Sequence, residues 1–485
     1  MIVIGAIYMK KTSSSEDYFL GGRGLNGWVA ALSAQASDMS GWLLMGLPGL
    51  AYLTGIADAG WTAIGLAIGT YLNWRIVAKR IRRYTHIAGN SITLPSFFSN
   101  RYRDEKKILQ SIGAIFIVIF FIPYTASGFA ACGKLFSSLF GVKYLTAMII
   151  SALVIVGYTT LGGFLAASTT DFIQSIIMSI ALIIVFCFGV SIAGGPSAVI
   201  DHAKSLPGYL TMMTTYDPVS GTESAYPVIN IVSMMAWGLG YFGMPHIIIR
   251  FMSLKSQKEM KKSAVIGIAW TALILFFATL VGIIGRLYLG MDEEINKNSL
   301  VFIAMVRNIF PALISGVLLS GVLAASMSTA SSQLLSSASS FASDVYKPVI
   351  RKHQSSDKEM LWAGRIVVLV ISFVALMIAD SPRAGSIMEL VSNAWGVFGS
   401  AFGPAIMLSL FWRGFTFQGA VACIIVGAVV DISWFLMLAS STGIYEIIPG
   451  FFASLFAGII VSVICGGPSN EVKKLYDKAN QYTEE

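Results

Sequence analysis

Charged residues are scarce in this chain of 485 residues, and their scarcity excludes a soluble protein. Asp, Glu, Lys and Arg make up 12% of the residues, whereas about a quarter of a typical soluble domain is charged. Hydrophobic residues make up 55%, and long apolar runs follow one another with only short polar breaks. The composition therefore predicts a polytopic, all-α membrane protein with one domain in the lipid bilayer, residues 1–466, and a tail at 467–485.

Cysteines and histidines are also few, with four of each. The cysteines lie far apart and lack the paired spacing of zinc or iron–sulfur sites; they are Cys132, Cys187, Cys423 and Cys465. The histidines form no His-Glu-x-x-His motif, and no nucleophile stands with a base. Nothing in the sequence indicates an enzyme.

The apolar runs predict thirteen transmembrane helices, counted at about 20 residues per crossing. The first helix is incomplete, and we expect the chain to begin late within it, without a cleavable signal peptide. The predicted spans are 1–9, 25–56, 58–78, 109–137, 143–160, 170–195, 227–252, 263–289, 301–342, 362–380, 384–412, 417–438 and 445–466.

Basic residues gather in alternate loops between these spans. Most lie at 10–24, 75–107, 250–262, 347–365, 413–416 and after 467. The opposite loops hold only Lys134, Lys143, Lys204, Arg286, Lys297 and Arg383, with Arg307 close by. By the positive-inside rule, the chain starts outside and its C-terminus is cytoplasmic. The net charge of +8 thus reflects membrane topology, and nucleic acid is not expected as a partner.

Two predicted spans carry residues that interrupt a helix. The span 25–56 contains Asp38 between Ser37 and Ser40, followed by glycines and Pro48, and the span 227–252 contains three glycines and Pro245. These two spans are five helices apart, which favours inverted repeats at about 25–195 and 227–412, flanked by 1–9, 417–438 and 445–466. Carriers built on such repeats bind solutes and ions at paired broken helices.

Buried carboxylates are the first candidate site residues, because a charge inside a bilayer is costly. Asp38 lies at the first break, where it could act in function or could cap the second half-helix. Asp171 follows Ser168, Thr169 and Thr170, so a functional role and a helix N-cap are equally open. Glu389 and Asp431 could pair within the bundle or lie near helix ends.

Hydroxyl and aromatic side chains form two further candidate groups. Ala325, Ser328, Thr329 and Ser332 fall on one helical face, where their oxygens would suit sodium or their small size would suit close helix packing. Trp237, Tyr241 and Pro245 recur every four residues, so they share a face that could hold a small, partly apolar solute or simply pack.

Long motifs connect these residues to a known family. The segments 33–49 (SAQASDMSGWLLMGLPG) and 237–246 (WGLGYFGMPH), with Met327, Ser328 and Thr329, resemble the sodium/solute symporter family, and in particular its members that carry proline. The resemblance covers nearly the whole chain. It implies a leucine-transporter-type fold of 5+5 inverted repeats and sodium-coupled uptake of L-proline. Met244 stands where glutamine is common in the family, a departure that could alter solute preference.

The resemblance also implies roles for individual residues. Sodium would be held by the carbonyls of Ala36, Met39 and Ala325 and the hydroxyls of Ser328 and Thr329. Coupling would involve Arg23, Asp38, Ser40 and Asp171, and proline would lie among Tyr124, Trp237, Tyr241 and Pro245. The alternatives are a symporter for another small amino acid or carboxylate, and a transporter-like sensor.

Overall fold

The computed structural model describes residues 2–9, 15–352, 354–381 and 385–481. Lys10, Lys11 and Arg383, which entered the charge argument, lie outside these ranges, as do residues 482–485 of the predicted tail. The described chain is almost entirely helical. Its one sheet is a two-stranded hairpin.

The described residues of the first half form nine α-helices, of which the last is the second of the long membrane helices. They are α1 (Ile2–Met9), α2 (Ser15–Leu20), α3 (Gly27–Ala36), α4 (Leu47–Thr54), α5 (Ile56–Leu72), α6 (Ala78–Ile87), α7 (Leu94–Tyr102), α8 (Ile108–Phe140) and α9 (Tyr144–Ile192). A 3-10 turn (Gly21–Arg23) precedes α3, and π-helical segments (Trp42–Gly46 and Asn73–Val77) lead into α4 and α6.

The second half begins with a short helix and the hairpin and then returns to long helices. Its elements are α10 (Pro196–Ser205), β1 (Thr214–Asp217), β2 (Thr222–Ala225), α11 (Val228–Met235), a 3-10 segment (Ala236–Phe242), α12 (Pro245–Met252), α13 (Gln257–Leu289), α14 (Glu293–Asn298), α15 (Val301–Ile309), α16 (Ala312–Phe341) with a π segment (Ala342–Ile350), α17 (Asp357–Ala379), α18 (Ile387–Phe411), α19 (Phe417–Met437), α20 (Ala439–Thr442), α21 (Ile447–Ile464) and α22 (Asn470–Gln481).

Both predicted helix breaks are present. Between α3 and the π segment that precedes α4, residues 37–40 leave the helix. The pair formed by α11 with its 3-10 extension and α12 bends by 45° at Gly243 and Met244. Pro245 then stands at the first position of α12, where its missing amide costs no helical hydrogen bond.

Among the described residues, eight helices are long and apolar enough to cross a bilayer, or nine if the bent pair counts as one crossing. The difference from thirteen predicted spans has a simple origin. The helix α9 contains two predicted spans, and the spans 1–9, 25–56 and 58–78 are built from pieces that are short individually.

Two predicted boundaries differ from the structure. The expected loop between 160 and 170 shrinks to one residue, because the non-helical conformation of Gly163 divides the 49 residues of α9 into two helices, and each of them has about the length that one crossing needs. The predicted single span 301–342 is divided at Phe310 and Pro311 into α15 and α16. The predicted tail also carries a helix, α22, whose Asp477 pairs with Arg413 at 2.8 Å.

The helix α16 lies at the centre of the bundle, and apolar side chains cover the outer surface of the bundle. From 324 to 340, every residue of α16 except Met327 is buried, although many of them are serines. By contrast, α17 presents a stripe that is more than half exposed and apolar: Trp362, Ile366, Leu369, Phe373 and Met377. Such a polar interior with an apolar exterior is what a bilayer requires.

Replacing Gly163 by alanine should destabilise the bend in α9. Gly163 has φ 61° and ψ −161°, a conformation open almost only to glycine, and a Cβ there would lie 2.9 Å from the Tyr18 carbonyl oxygen. We expect a cost of about 1–3 kcal/mol, measured as a lower melting temperature of the protein in detergent. Gly157→Ala is the control, because nothing lies within 4 Å of its added Cβ. Equal melting temperatures for the two variants would contradict this account.

Candidate functional site

The broken end of α3 brings backbone oxygens against the hydroxyls of α16. The Ala36 carbonyl accepts hydrogen bonds from Ser328 Oγ at 2.7 Å and Thr329 Oγ1 at 3.3 Å. The same hydroxyls lie 3.0 and 3.2 Å from the Ala325 carbonyl one turn earlier. Four oxygens thus converge from two helices in a buried position. A hard monovalent cation such as sodium prefers this kind of all-oxygen environment.

The Ala36 carbonyl is available because α3 stops there. In a continuous helix it would accept from the amide of Ser40, but that amide donates to the Asp38 carbonyl at 2.8 Å. Met39 lies in the same unwound segment, where its amide donates to Gln35 at 2.9 Å. No hydrogen bond among the described residues joins Met39 to Ser328 or Thr329.

Asp38 connects the two broken helices. Its Oδ2 accepts from the hydroxyl of Tyr241 at 2.5 Å, and its backbone carbonyl accepts from the Tyr124 hydroxyl at 3.2 Å and from Trp42 Nε1 at 3.1 Å. The carboxylate therefore bonds a side chain of the second break and does not cap the π segment or α4, for which no side-chain cap is found.

The aromatic residues continue from Asp38 toward α21. The Trp237 ring stacks on Tyr445 with centroids 5.5 Å apart and lies 6.3 Å from Trp42. Tyr241 meets the edge of Trp395 at 5.1 Å, and Pro245 begins α12 nearby in the chain. The predicted solute residues Tyr124, Trp237 and Tyr241 are thus joined by Asp38 and Trp42 into one buried group.

Asp171 is not a helix cap, which corrects one of the two open interpretations. It lies in α9 eight residues after the bend at Gly163, and it is fully buried. Its Oδ2 accepts from Arg250 Nη2 at 3.0 Å, from Ser33 Oγ at 2.8 Å and from Ser332 Oγ at 3.4 Å.

Arg250 is a site residue that the sequence analysis missed, because it was assigned to a cytoplasmic loop. The guanidinium is buried, and it donates to Ser33 at 3.0 Å and to Ser332 and the His246 carbonyl at 2.5 Å each. Its position directly after the apolar run 247–249 was the signal that it lies within the bundle. Through Ser332, this ion pair lies one helical turn from Ser328.

Arg23 and Ser40 are not part of either oxygen cluster. Arg23 lies before α3, where it donates to the carbonyls of Met252 at 2.7 Å and Ser91 at 2.8 Å and to Asn90 at 2.9 Å. Burial lowers the pKa of Arg23 to about 10, so it remains charged at neutral pH and ties the start of α3 to the end of α12. Ser40 Oγ is buried without a hydrogen-bond partner among the described residues.

Asp171→Asn should strongly destabilise the protein, because it leaves the Arg250 charge buried without its partner. Breaking one side of a buried pair costs about 3–5 kcal/mol, and a melting temperature in detergent would report it. Asp477→Asn is the matched control, since the Arg413–Asp477 pair is exposed and exposed pairs contribute little. If both variants melt alike, Asp171 and Arg250 do not form a stabilising buried pair.

Comparison with known proteins agrees with this architecture. Residues 18–427 match the sodium:solute symporter family. Among curated proteins, the chain is 43% identical to an osmoregulated proline transporter of Bacillus subtilis strain 168, over 98% of this chain and 95% of that protein. It is 44% identical to a high-affinity proline transporter of the same strain, over 99% of both. It is also 41% identical to a sodium/proline symporter of Staphylococcus aureus strain USA300, over 100% of this chain and 94% of that protein.

Solved structures identify the fold. A sodium-coupled sialic acid symporter in a substrate-bound, outward-open state superposes with a TM-score of 0.77 at 20% identity, over 96% of both chains. MhsT in complex with L-phenylalanine gives a TM-score of 0.54 at 13% identity, over 90% of this chain and 97% of that one. The predicted leucine-transporter-type fold is confirmed, while the repeat boundaries stay a prediction. By sequence and fold, the chain belongs to the sodium:solute symporter family.

Proposed function

We propose that this protein is a multi-pass membrane carrier that couples the entry of sodium to the uptake of L-proline by alternating access. The observation that carries the proposal is the convergence of Ala36, Ala325, Ser328 and Thr329 oxygens beside the Asp38–Tyr241 contact. The names of the similar proline transporters support the choice of solute. We further propose that the chain starts outside the cell and ends in the cytoplasm, from the distribution of its basic residues.

Sodium binding would act on the break in α3. The hydroxyls of Ser328 and Thr329 now donate to the Ala36 carbonyl, and a cation among these oxygens would accept their lone pairs and those of the carbonyls. Met39 would contribute its carbonyl from the unwound segment. Because Asp38 follows Ala36 by two residues, an ordered break would fix the carboxylate that Tyr241 contacts.

Proline would lie beside that carboxylate. Tyr124 and Tyr241 present hydroxyls at Asp38, and Trp237 offers a flat apolar face for a pyrrolidine ring. The charged ends of a zwitterion would be met by backbone groups freed at the two breaks. Another small amino acid or carboxylate is the alternative solute. The reason is that Met244, which stands where glutamine is common in the family, lies at the second break.

The driving force would be the sodium gradient and the membrane potential. One charge that crosses the membrane gains about 2.3 kcal/mol per 100 mV. Sodium and proline can favour closure only through their stronger binding to one of the two conformations. Asp171 with Arg250, and Arg23 with Met252, join moving segments in this scheme and would act in coupling, together with Asp38 and Ser40.

Uptake into proteoliposomes tests the function. With an inward sodium gradient, labelled L-proline should accumulate above equilibrium and saturate with concentration, and with potassium in place of sodium it should not. Passive, unsaturable entry would indicate a channel instead. Sodium-dependent uptake of a different solute would support the alternative carrier, and binding without uptake would indicate a sensor.

Ser328→Ala combined with Thr329→Ala should abolish sodium stimulation of uptake while the protein still folds. The double variant removes two of the four converging oxygens, so sodium loses ligands that no other side chain replaces. Initial uptake rates across a series of sodium concentrations measure the effect. Ser320→Ala, on the same helix but bonded only to the Val317 carbonyl, should behave like the unchanged protein. Normal sodium dependence in the double variant would refute the site.

Tyr241→Phe should weaken proline binding because the Asp38 carboxylate loses its hydroxyl donor. This hydrogen bond to a charged group contributes about 1.5–3 kcal/mol to holding the Asp38 carboxylate in place, so its loss should raise the KM for proline, by up to about tenfold if most of that energy positions the site. Uptake kinetics at saturating sodium measure it. Tyr71→Phe serves as the control, because that ring is 48% exposed on the outer surface. An unchanged KM in Tyr241→Phe would remove this residue from the proposed proline site.

A further inference from the structure

Two carboxylates lie buried side by side outside the clusters described above. Asp431, in α19, is 1% exposed, and Glu446, directly before α21, is 4% exposed. Both pack against Gly396 of α18. A Cβ at Gly396 would lie 3.1 Å from Asp431 Oδ2 and 3.3 Å from Glu446 Cγ. The two acids therefore share one small space between three helices.

The surroundings of this pair supply oxygens but no compensating charge. Ser400 Oγ donates to Asp431 Oδ2 at 2.7 Å and lies 3.4 Å from the Ile447 carbonyl. Glu446 Oε1 is buried without a partner among the described residues. In the described part of the chain, no lysine, arginine or histidine forms an ion pair with either acid. The other titratable group that faces both is Tyr445, and its hydroxyl donates to the Ser392 carbonyl.

Two ionised carboxylates are not tolerated together in such a space. Each would lose its hydration without gaining a counter-charge, and each would repel the other. The pair must therefore take up at least one positive charge, as a proton or as a bound cation, which removes the repulsion between the two acids. The available ligands are carboxylate, hydroxyl and carbonyl oxygens, which suit a proton or a small hard cation. A calcium ion would need six to eight such ligands.

We propose that Asp431 and Glu446 form a binding site for one monovalent cation, a proton or a sodium ion, separate from the site at Ala36 and Ser328. Occupancy of this site would also affect solute binding. Tyr445 directly precedes Glu446 and stacks on Trp237, and its amide donates to Ser233 of α11 at 3.2 Å. Binding of the cation to the pair therefore holds Tyr445 against Trp237. This link between the cation and the solute site rests on the proposed function.

Infrared spectroscopy of the purified protein tests the site without any transport assay. In choline chloride at neutral pH, the unchanged protein should show a protonated-carboxyl band that Asp431→Asn with Glu446→Gln removes. Glu471→Gln, on the exposed side of α22, should retain the band. If the band persists when sodium replaces choline, the ligand is a proton, and if sodium abolishes it, the ligand is sodium. No difference between the unchanged protein and the double variant in either salt would overturn the site.

The single variants keep the test decisive if the double variant does not fold. In Asp431→Asn or Glu446→Gln, the remaining acid no longer faces a second carboxylate, so it should ionise more readily, and its band should disappear at a lower pH. The same titration as in the unchanged protein would show that the two acids do not act as a pair.

Proline binding tests the link to the solute site. In the unchanged protein, unloading the pair, by raising the pH or by removing sodium according to the infrared result, should weaken proline binding at least threefold. In Asp431→Asn with Glu446→Gln, proline binding should depend on the ion only through the first sodium site. The size of that contribution is measured by comparing the unchanged protein with Ser328→Ala combined with Thr329→Ala, which lacks the first site. Identical dependence with and without the two acids would refute the link, whereas the infrared result would stand even if proline were not the solute.

Discussion

The structure depends on one constraint, which is that backbone groups freed inside a membrane must find partners within the protein. When α3 stops at Ala36, its carbonyl has lost the Ser40 amide and is met by the hydroxyls of Ser328 and Thr329. These hydroxyls come from α16, which lies at the centre of the bundle beside the break. The same oxygens that satisfy the break are the ones that could hold sodium. The stability of the break and its capacity to bind an ion therefore have a common origin.

The ion pair between Asp171 and Arg250 serves the same constraint for charge. It joins α9 and α12 directly, and it joins α3 and α16 through Ser33 and Ser332. Four segments that would move relative to one another in a carrier thus meet one turn away from Ser328. The arrangement gives a physical route by which a change at the sodium oxygens reaches the second broken helix. Asp38 and Tyr241 provide the other route.

The sequence predicted the features that cost the most free energy inside a bilayer. Glycine, proline and aspartate inside apolar runs located both breaks, and the hydroxyl-rich face of α16 located the central helix. It did not predict the positions where tertiary structure overrides local signals. Gly163 makes a break at one residue where the predicted spans left a loop between 160 and 170. Asp171 pairs with Arg250, whereas the sequence left a functional role and a helix cap equally open. Arg250 was counted among the loop charges, because sequence alone does not show that a cation has a buried partner about 80 residues away.

The most direct test of the account is the affinity of the purified protein for L-proline, measured at equilibrium in sodium and in potassium. If sodium binds at the α3 break and orders the neighbouring proline residues, sodium must tighten proline binding, and proline must tighten sodium binding by the same factor. We predict at least a tenfold stronger affinity in sodium, with the reciprocal effect on sodium. An equal affinity for proline in the two salts would contradict the coupling of the two sites and, with it, the central role of the broken helix.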